Sequence, residues 1–530
     1  MTSEITSLEQ FQELETEYKL ITEWRDEGYT WEEIAIDLGK GSETSARRYY
    51  SNLKKLVENP PKGLEHLDFT KEALSQVVRP QKVRGERYLI TTITAKADTF
   101  KKPFLSLLKA AEHLDAKLVL LLGRSHNKAL KEQVWYYDPW LKQFQDQVIF
   151  ASEYIFNKMI RAVDLQINPQ QLNPLTGIKG IDWGEDCSSV ILASTQISLE
   201  TVPRGNNRTP RVIVGTGTIS VPNYRQETRV GRMAEQNHDC GAVMLEVVDS
   251  SKFFLRVLEI DSETGTFYDI AGGHSTKFTP KGASTARAEA WVLGDKHIGH
   301  DCLTVWKAQK HLAKITNPKK YFLHDLLDGT SGSPHTHNKV LTRHFRKFFG
   351  IADELAAVKD FLQEIKKLLP KSKGYLVDSN HHDHLFRYLD AHNYVKDKIN
   401  YEIGHRMVVD VLDGINPFIK RCDPNSEFSW LGSEDDLYVE GVNMAMHGHL
   451  GPNGVKGSIK NIAIIENNAM IGHSHSPGWY RGIVQVGHSS KSRHGYNRGP
   501  SGWIKADGLI WPKGLKSLIM FIDGEFYLKT

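Results

Sequence analysis

Five stretches in the second half of this chain each end a short apolar run in side chains that bind metal ions. Residues 288–294 lead into Asp295-Lys296-His297, and Tyr321-Phe322-Leu323 leads into His324-Asp325, with Asp328 following. Tyr375-Leu376-Val377 precedes Ser379-Asn380-His381-His382-Asp383. Met444-Ala445-Met446 precedes His447-Gly448-His449, and Ala469-Met470-Ile471 precedes Gly472-His473-Ser474-His475. In an extended triplet the first and third side chains share one side. Asp295 and His297 can therefore hold one ion together, and His473 and His475 can each reach one of two adjacent ions. Carboxylate and amide oxygens mixed with imidazoles suit manganese, iron or zinc, not a soft thiolate site. Histidine usage agrees: 18 of the 23 histidines lie between His297 and His494.

Such ligands need a scaffold that brings strand ends to one cleft, as layered α/β folds do. At roughly 150 residues per domain, 530 residues suggest three or four units. Residues 1–58 read as three helices. The first spans 8–27 and ends at Gly28. Thr30 with Glu33 forms a capping box for the second, which Gly39 closes. The third runs over 42–56 and carries Arg47, Arg48, Lys54 and Lys55. This set resembles a helix-turn-helix of the homeodomain-like or resolvase kind, which implies DNA binding; a small bundle for oligomerisation is the other reading. Charge changes sign here: residues 1–39 hold eleven acids and two bases, and residues 40–87 eleven bases and six acids. Residues 59–86 read as a basic tether, with Pro60-Pro61 and Arg79-Pro80.

Residues 87–286 read as an accessory α/β domain. Strand 88–94, helix 104–113 and strand 117–122 give a β-α-β order, followed by strands at 189–193, 211–214, 242–248 and 253–259. Residues 248–252 are a hairpin turn. Gly215-Thr216-Gly217 lacks the rest of a dinucleotide fingerprint and reads as a turn. No solenoid-period repeat is visible. Residues 287–530 form the third unit.

Composition removes several classes. Lysine plus arginine is 67 against 64 acids, a net charge of +3, so the chain is no bulk polycation. Cys187, Cys240, Cys302 and Cys422 make no CxxC pair, which excludes a thiolate zinc site and fits a reducing cytoplasm. The polar, acidic start is no secretory signal, and the apolar run near 118–122 is too short to cross a membrane.

Taken together, the five motifs resemble those of the calcineurin-like metallophosphoesterase superfamily, which run DxH, GDxxD, GNH(D/E), H and GHxH. The match covers residues 287–475 with all five in order. It implies a four-layer α/β/β/α domain over 287–530 and two divalent ions, manganese ahead of magnesium, iron or zinc. Asp295, His297, Asp325 and His475 would hold the first ion. Asp325, Asn380, His447 and His473 would hold the second, with Asp325 bridging. His381 would serve the leaving oxygen, and Asp328 would orient His381 or a ligand histidine. Two glycines of the pattern are replaced, by His324 and Ser379. His449 competes with His447, which is preferred because it ends the apolar run. His300, His324, His382 and His384 read as supporting or substrate-side groups. The reaction implied is two-metal hydrolysis of a phosphoester.

Two features point to DNA as substrate. One is the N-terminal helix-turn-helix. The other is segment 481–516, read as a glycine-rich loop with Arg481, Lys491, Arg493, Arg498, Lys505, Lys513 and Lys516 among Trp479, Tyr480, Tyr496 and Trp503. Basic charge tracks phosphates and aromatics stack on bases. The chain is similar to the SbcD-type nuclease branch, but its motifs begin only at Asp295. That late start is similar to large tailed-phage metallophosphoesterases, including the pre-early DNases that degrade host DNA in the host cytoplasm. The alternative is a protein or nucleotide phosphomonoesterase with a partner-binding helical module. A DNA-binding regulator with a decayed site is disfavoured by the intact ligand set. The middle unit makes a homo-oligomer plausible.

Overall fold

The computed structural model describes residues 8–58, 67–70, 76–80, 84–124, 134–171, 173–181, 188–205, 208–332, 348–494, 497 and 499–529. Three helices, Leu8–Asp26, Trp31–Asp37 and Glu43–Glu58, open it. The Thr30 hydroxyl accepts from the Glu33 N–H, and the Glu33 carboxylate accepts from the Thr30 N–H at 2.7 Å. This reciprocal box satisfies two otherwise orphaned donors. Ile21, Ile34 and Leu53 form the buried centre of the bundle. Helices this short depend on such packing more than on propensity.

The remainder is a mixed α/β body built on two layers of sheet. One layer is an eleven-stranded sheet. Its order is Val77–Val78, Glu153–Ile155, Ile160–Val163, Ser189–Leu192, Arg211–Thr216, Ile197–Val202, Gly478–Tyr480, Ile483–Gln485, Ala469–Ile471, Val442–Asn443, Tyr438–Val439. The facing layer holds two sheets. The five-stranded one runs Phe253–Glu259, Gly241–Val247, Glu86–Thr94, Ala116–Gly123, Val148–Ala151. The six-stranded one runs Ser429–Leu431, Lys373–Val377, Lys320–Leu323, Ala290–Val292, Ala506–Ile510, Lys516–Met520. Their edge strands 253–259 and 516–520 lie side by side, and the Lys516 N–H donates to Glu259 at 2.9 Å.

Alternation along the strands builds the cores. Tyr88, Ile90, Val292, Phe322 and Val377 point inward against Ile191, Val214, Met470 and Val484 of the large sheet. The alternate residues Leu89 and Ile93 pack outward with helix Lys101–Leu114. Trp291, Tyr321 and Leu376 pack outward with helices Leu303–Thr316 and Ile351–Leu368. Strands covered on both faces need apolar residues at every position, which accounts for unbroken runs such as 118–122.

Segments 87–286 and 287–530 thus share one sheet and one core, joined where strand 197–202 pairs antiparallel with strand 478–480. Within segment 59–86, read as a tether, Leu67–Thr70 pairs with Val134–Tyr137 and Val77–Val78 with strand 153–155. The β-α-β unit and the later strands form near their expected positions, and the Val248 N–H closes its hairpin onto the Lys252 carbonyl at 3.0 Å. Gly215 differs: it lies inside strand 211–216, and the chain turns only at Gly217, whose φ is 69°. Among the described residues no helix is long and apolar enough to cross a membrane.

Candidate metal centre

Strands 290–292, 320–323 and 373–377 run parallel and end at one edge of their sheet. Strands 442–443 and 469–471 of the facing sheet also run parallel and deliver their following loops to the same place. One ligand atom each from Asp295, His297, Asp325 and His475 lies within 4.8 Å of all the others, and all four residues are buried. Beside them, Asn380 Oδ1 lies 3.2 Å from His447 Nε2 and 3.0 Å from His473 Nδ1. His447 Nε2 lies 3.2 Å from Asp325 Oδ2. Two donor sets therefore meet at Asp325.

The side chains fit cations. Among the described residues, both carboxylate oxygens of Asp325 and Oδ1 of Asp295 are buried and receive no well-formed hydrogen bond, the His447 ring nitrogen beside Asp325 Oδ2 included. Such oxygens are costly unless something positive satisfies them. His297 Nε2 and His475 Nε2 face each other at 2.9 Å, an arrangement that suits lone pairs converging on an ion. The backbone is also strained here: His297, Asp325, His473 and His475 have φ of 46°, 41°, 78° and 61°. Side-chain-bearing residues hold that region at a cost of about 1–3 kcal/mol each, and such positions cluster at functional sites. Gly472 is required by space. A Cβ there would stand 2.4 Å from Asp295 Oδ1 and 3.2 Å from His447 Nδ1.

A second layer of contacts orients these side chains. The Asp328 carboxylate lies 3.1 Å from His297 Nδ1, so it accepts that proton and leaves Nε2 free. The Asp328 carbonyl oxygen accepts from His381 Nδ1 at 2.6 Å, which leaves His381 Nε2 free of that bond. Asp328 thus serves both histidines, one through its side chain and one through its backbone. His324 places Nδ1 3.2 Å from His447 Nδ1. His449 stands off, with its nearest acid, Asp383, at 3.9 Å. His382 lies 3.0 Å from the Ser379 hydroxyl, the His384 ring lies 5.0 Å from the His381 ring and tilted to it, and His300 lies 3.3 Å from Asp328 Oδ2.

Burial and charge oppose one another at these groups. Burial alone would raise Asp325, but His447, His381 and His297 more than offset it and hold its carboxyl well below the usual range. Burial pushes His324 down to about 3 and His473 down to about 4, so both are neutral. His381 goes the other way: burial lowers it, and the charges of Asp325 and Asp328 outweigh burial and raise it.

Several positioning groups carried no motif. Asp507 accepts from the Trp291 indole at 2.9 Å, the Gly294 N–H at 2.9 Å and Gln309 at 2.8 Å, and so fixes the loop entering Asp295. His494 stacks on His300 at 4.3 Å, and Trp503 packs edge-on to His475 at 4.1 Å. The histidine excess in this half was the signal available for His494; Asp507 had none.

Of the residues read as nucleic-acid contacts, Arg47, Arg48, Lys54 and Lys55 lie exposed on the third helix. Arg47 pairs with Glu43, and Lys54 lies 3.8 Å from Glu58. Lys491 and Arg493 are exposed on the segment that leads to His494, where the Arg493 guanidinium donates to the Gly499 carbonyl at 3.0 Å. Arg498 and Tyr496 lie outside the described residues. Segment 481–516 is not one loop: it supplies strands 483–485 and 506–510 and the first residue of strand 516–520. Its alternating apolar residues enter the cores, and Trp479 beside it is 2% exposed. Lys513 pairs with Asp261 at 2.7 Å and Lys516 with Glu259 at 3.3 Å, so neither presents a free charge.

Protein A1 of Escherichia phage T5 is 26% identical over 477 residues, spanning 84% of this chain and 83% of that protein. The chain is similar to a phage protein. No family model matches the sequence, and no solved structure matches it.

Proposed function

We propose that this protein is a metal-dependent DNase that hydrolyses DNA phosphodiester bonds and degrades host DNA during phage infection. The observation that carries the reading is the meeting at Asp325 of one buried and one partly buried donor set. Asp295, His297, Asp325 and His475 would hold one divalent ion, and Asp325, Asn380, His447 and His473 the other. When bound, such a pair lowers the pKa of water and offsets charge on phosphate oxygens.

The chain's own residues supply the rest. Asp328 holds His297 in the tautomer that presents Nε2 to the centre. His381, anchored through Nδ1 and raised by the charges of Asp325 and Asp328, offers a proton at Nε2 to the departing oxygen. The exposed bases of the third helix supply sequence-independent attraction to the DNA backbone. Similarity to a phage protein supports the biological setting.

Paired assays test the substrate class. With manganese present, linear DNA should be degraded faster than a small phosphomonoester. Rapid turnover of the monoester with intact DNA would replace the reading by a phosphomonoesterase.

A further inference from the structure

The layered body repeats itself. Outward from the centre of the large sheet, strands 197–202, 211–216, 189–192, 160–163 and 153–155 lie on one side. Strands 478–480, 483–485, 469–471, 442–443 and 438–439 lie on the other. Successive pairings are antiparallel, parallel, parallel and antiparallel on both sides. The two central strands pair antiparallel, with Leu199 opposite Trp479. The facing sheets match as well: 253–259, 241–247, 86–94, 116–123 and 148–151 follow the order of 516–520, 506–510, 290–292, 320–323 and 373–377. Helices Lys101–Leu114 and Leu303–Thr316 each have 14 residues and end in left-handed Asp115 and Asn317. Single hydrogen bonds recur too. The Val221 N–H donates to the Asp98 carbonyl at 2.7 Å, and the Lys491 N–H to the His300 carbonyl at 2.7 Å.

This repeat allows ligand positions to be read across. Val214 pairs with Ile191 as Val484 pairs with Met470. Counting on, Ser194 and Gln196 stand where His473 and His475 stand. The Ala95 N–H donates to the Gly123 carbonyl as the Lys296 N–H donates to the His324 carbonyl, which puts Arg124 in the place of Asp325. The imidazoles are gone, and the bridging carboxylate has become a guanidinium. The cleft persists, lined by Thr94, Arg124, Asp164, Asn168, Ser194 and Gln196 among others, with no histidine among its described lining residues. Thr94 Oγ1 and Arg124 Nε are buried without a hydrogen-bond partner among the described residues. Arg124 also donates to Gln166. Burial pushes the Asp164 carboxyl up to about 7, so it opposes an anion less than an ordinary aspartate would.

Replacing a carboxylate by a guanidinium inverts what the cleft prefers, from a cation to an oxyanion. Guanidinium N–H groups match phosphate oxygens in pairs. We propose that residues 86–260 are a second, metal-free copy of the fold that carries the candidate metal centre, and that its cleft binds a phosphate group through Arg124 and Thr94 without cleaving it. The shared chemistry is a phosphate oxyanion, from free phosphate or from a nucleic-acid backbone.

The test uses the full chain in excess EDTA, which separates it from any failure of the nuclease reading. Inorganic phosphate is titrated calorimetrically, and a labelled single-stranded oligonucleotide is followed by anisotropy. Arg124→Gln should weaken phosphate binding about tenfold or more, and Arg124→Lys should recover part of it. Thr94→Val, which keeps the shape and removes the hydroxyl, should weaken it several-fold and serves if Arg124→Gln does not fold. A parallel loss of oligonucleotide binding identifies the backbone as the source; loss of phosphate binding alone identifies free phosphate. No phosphate binding by the metal-free wild type, or equal binding by folded Arg124→Gln and Thr94→Val, overturns the proposal.

Discussion

Gly472→Ala isolates the geometry of the candidate metal centre from its chemistry, because it changes no candidate ligand. Gly472 is not among the residues with positive φ, so alanine meets no backbone penalty there. Its Cβ would stand 2.4 Å from Asp295 Oδ1, 3.2 Å from His447 Nδ1 and 3.3 Å from the His324 ring. Cβ atoms essentially never approach within 3.0 Å of a non-bonded heavy atom of another residue, so Asp295 and position 472 must separate by at least about 0.6 Å. Ligand distances in metal sites tolerate about 0.2 Å. Changes that only reorient ligands typically cost about 10–100-fold in affinity or activity. We expect Gly472→Ala to lose manganese affinity by that factor. Overpacking should lower the stability of the metal-free protein by only about 1–3 kcal/mol. Calorimetric titration with manganese, beside a thermal melt in EDTA, separates the two effects. Gly180→Ala is the control, since nothing lies within 4 Å of its added Cβ. Manganese binding equal to wild type would refute the placement of Asp295 as a ligand.

Saturating manganese should raise the melting temperature of wild type, by about 2.7 kcal/mol of stability at a hundredfold excess over Kd; Asp325→Ala should show no such rise. Removing residues 1–58 should weaken DNA binding and flatten its salt dependence by roughly 0.9 per lost phosphate contact, while leaving hydrolysis of a small diester intact; an unchanged slope argues against the helical module as a DNA contact. Burial pushes Asp239 up to about 7, with the Ile197 N–H donating to Oδ2 at 2.8 Å. Its folded pKa is raised, so its contribution to stability is fully present below pH of about 4 and lost as pH rises through about 7. Asp239→Asn should therefore gain melting temperature relative to wild type across that window, and a gap that does not vary with pH would contradict the assignment.

Much of this arrangement was legible in the sequence because short-range rules act locally. Thr30 and Glu33 announce their own capping box, and unbroken apolar runs announce strands covered on both faces. The candidate ligand motifs are legible for the same reason, since each places its residues within a few positions of a strand end. What was hidden depends on distant pairing. Segment 481–516 looks like a loop from its glycines, yet its alternating apolar residues are consumed by strands whose partners lie far away in the chain. Lys513 and Lys516 look like free charge until Asp261 and Glu259 arrive from the other half. Asp507 carries no motif, and only the fold brings it to Trp291 and Gly294. The internal repeat left little beyond Ile-Val-x-x-Gly-x-x-Ser at 213–220 and 483–490, because the buried strands require only apolar character while the ligands were replaced.

DNA cleavage by the residues that converge on Asp325 is open to direct measurement. Purified wild type, Asp325→Ala and His381→Ala should be incubated with linear and circular DNA and manganese, and the loss of intact DNA followed with time. Wild type should degrade the DNA, Asp325→Ala should show no degradation above background, and His381→Ala should run roughly 10²–10⁴-fold slower, the range of general acid catalysis. Intact DNA with manganese-loaded wild type, or equal degradation by folded Asp325→Ala, would contradict the nuclease reading.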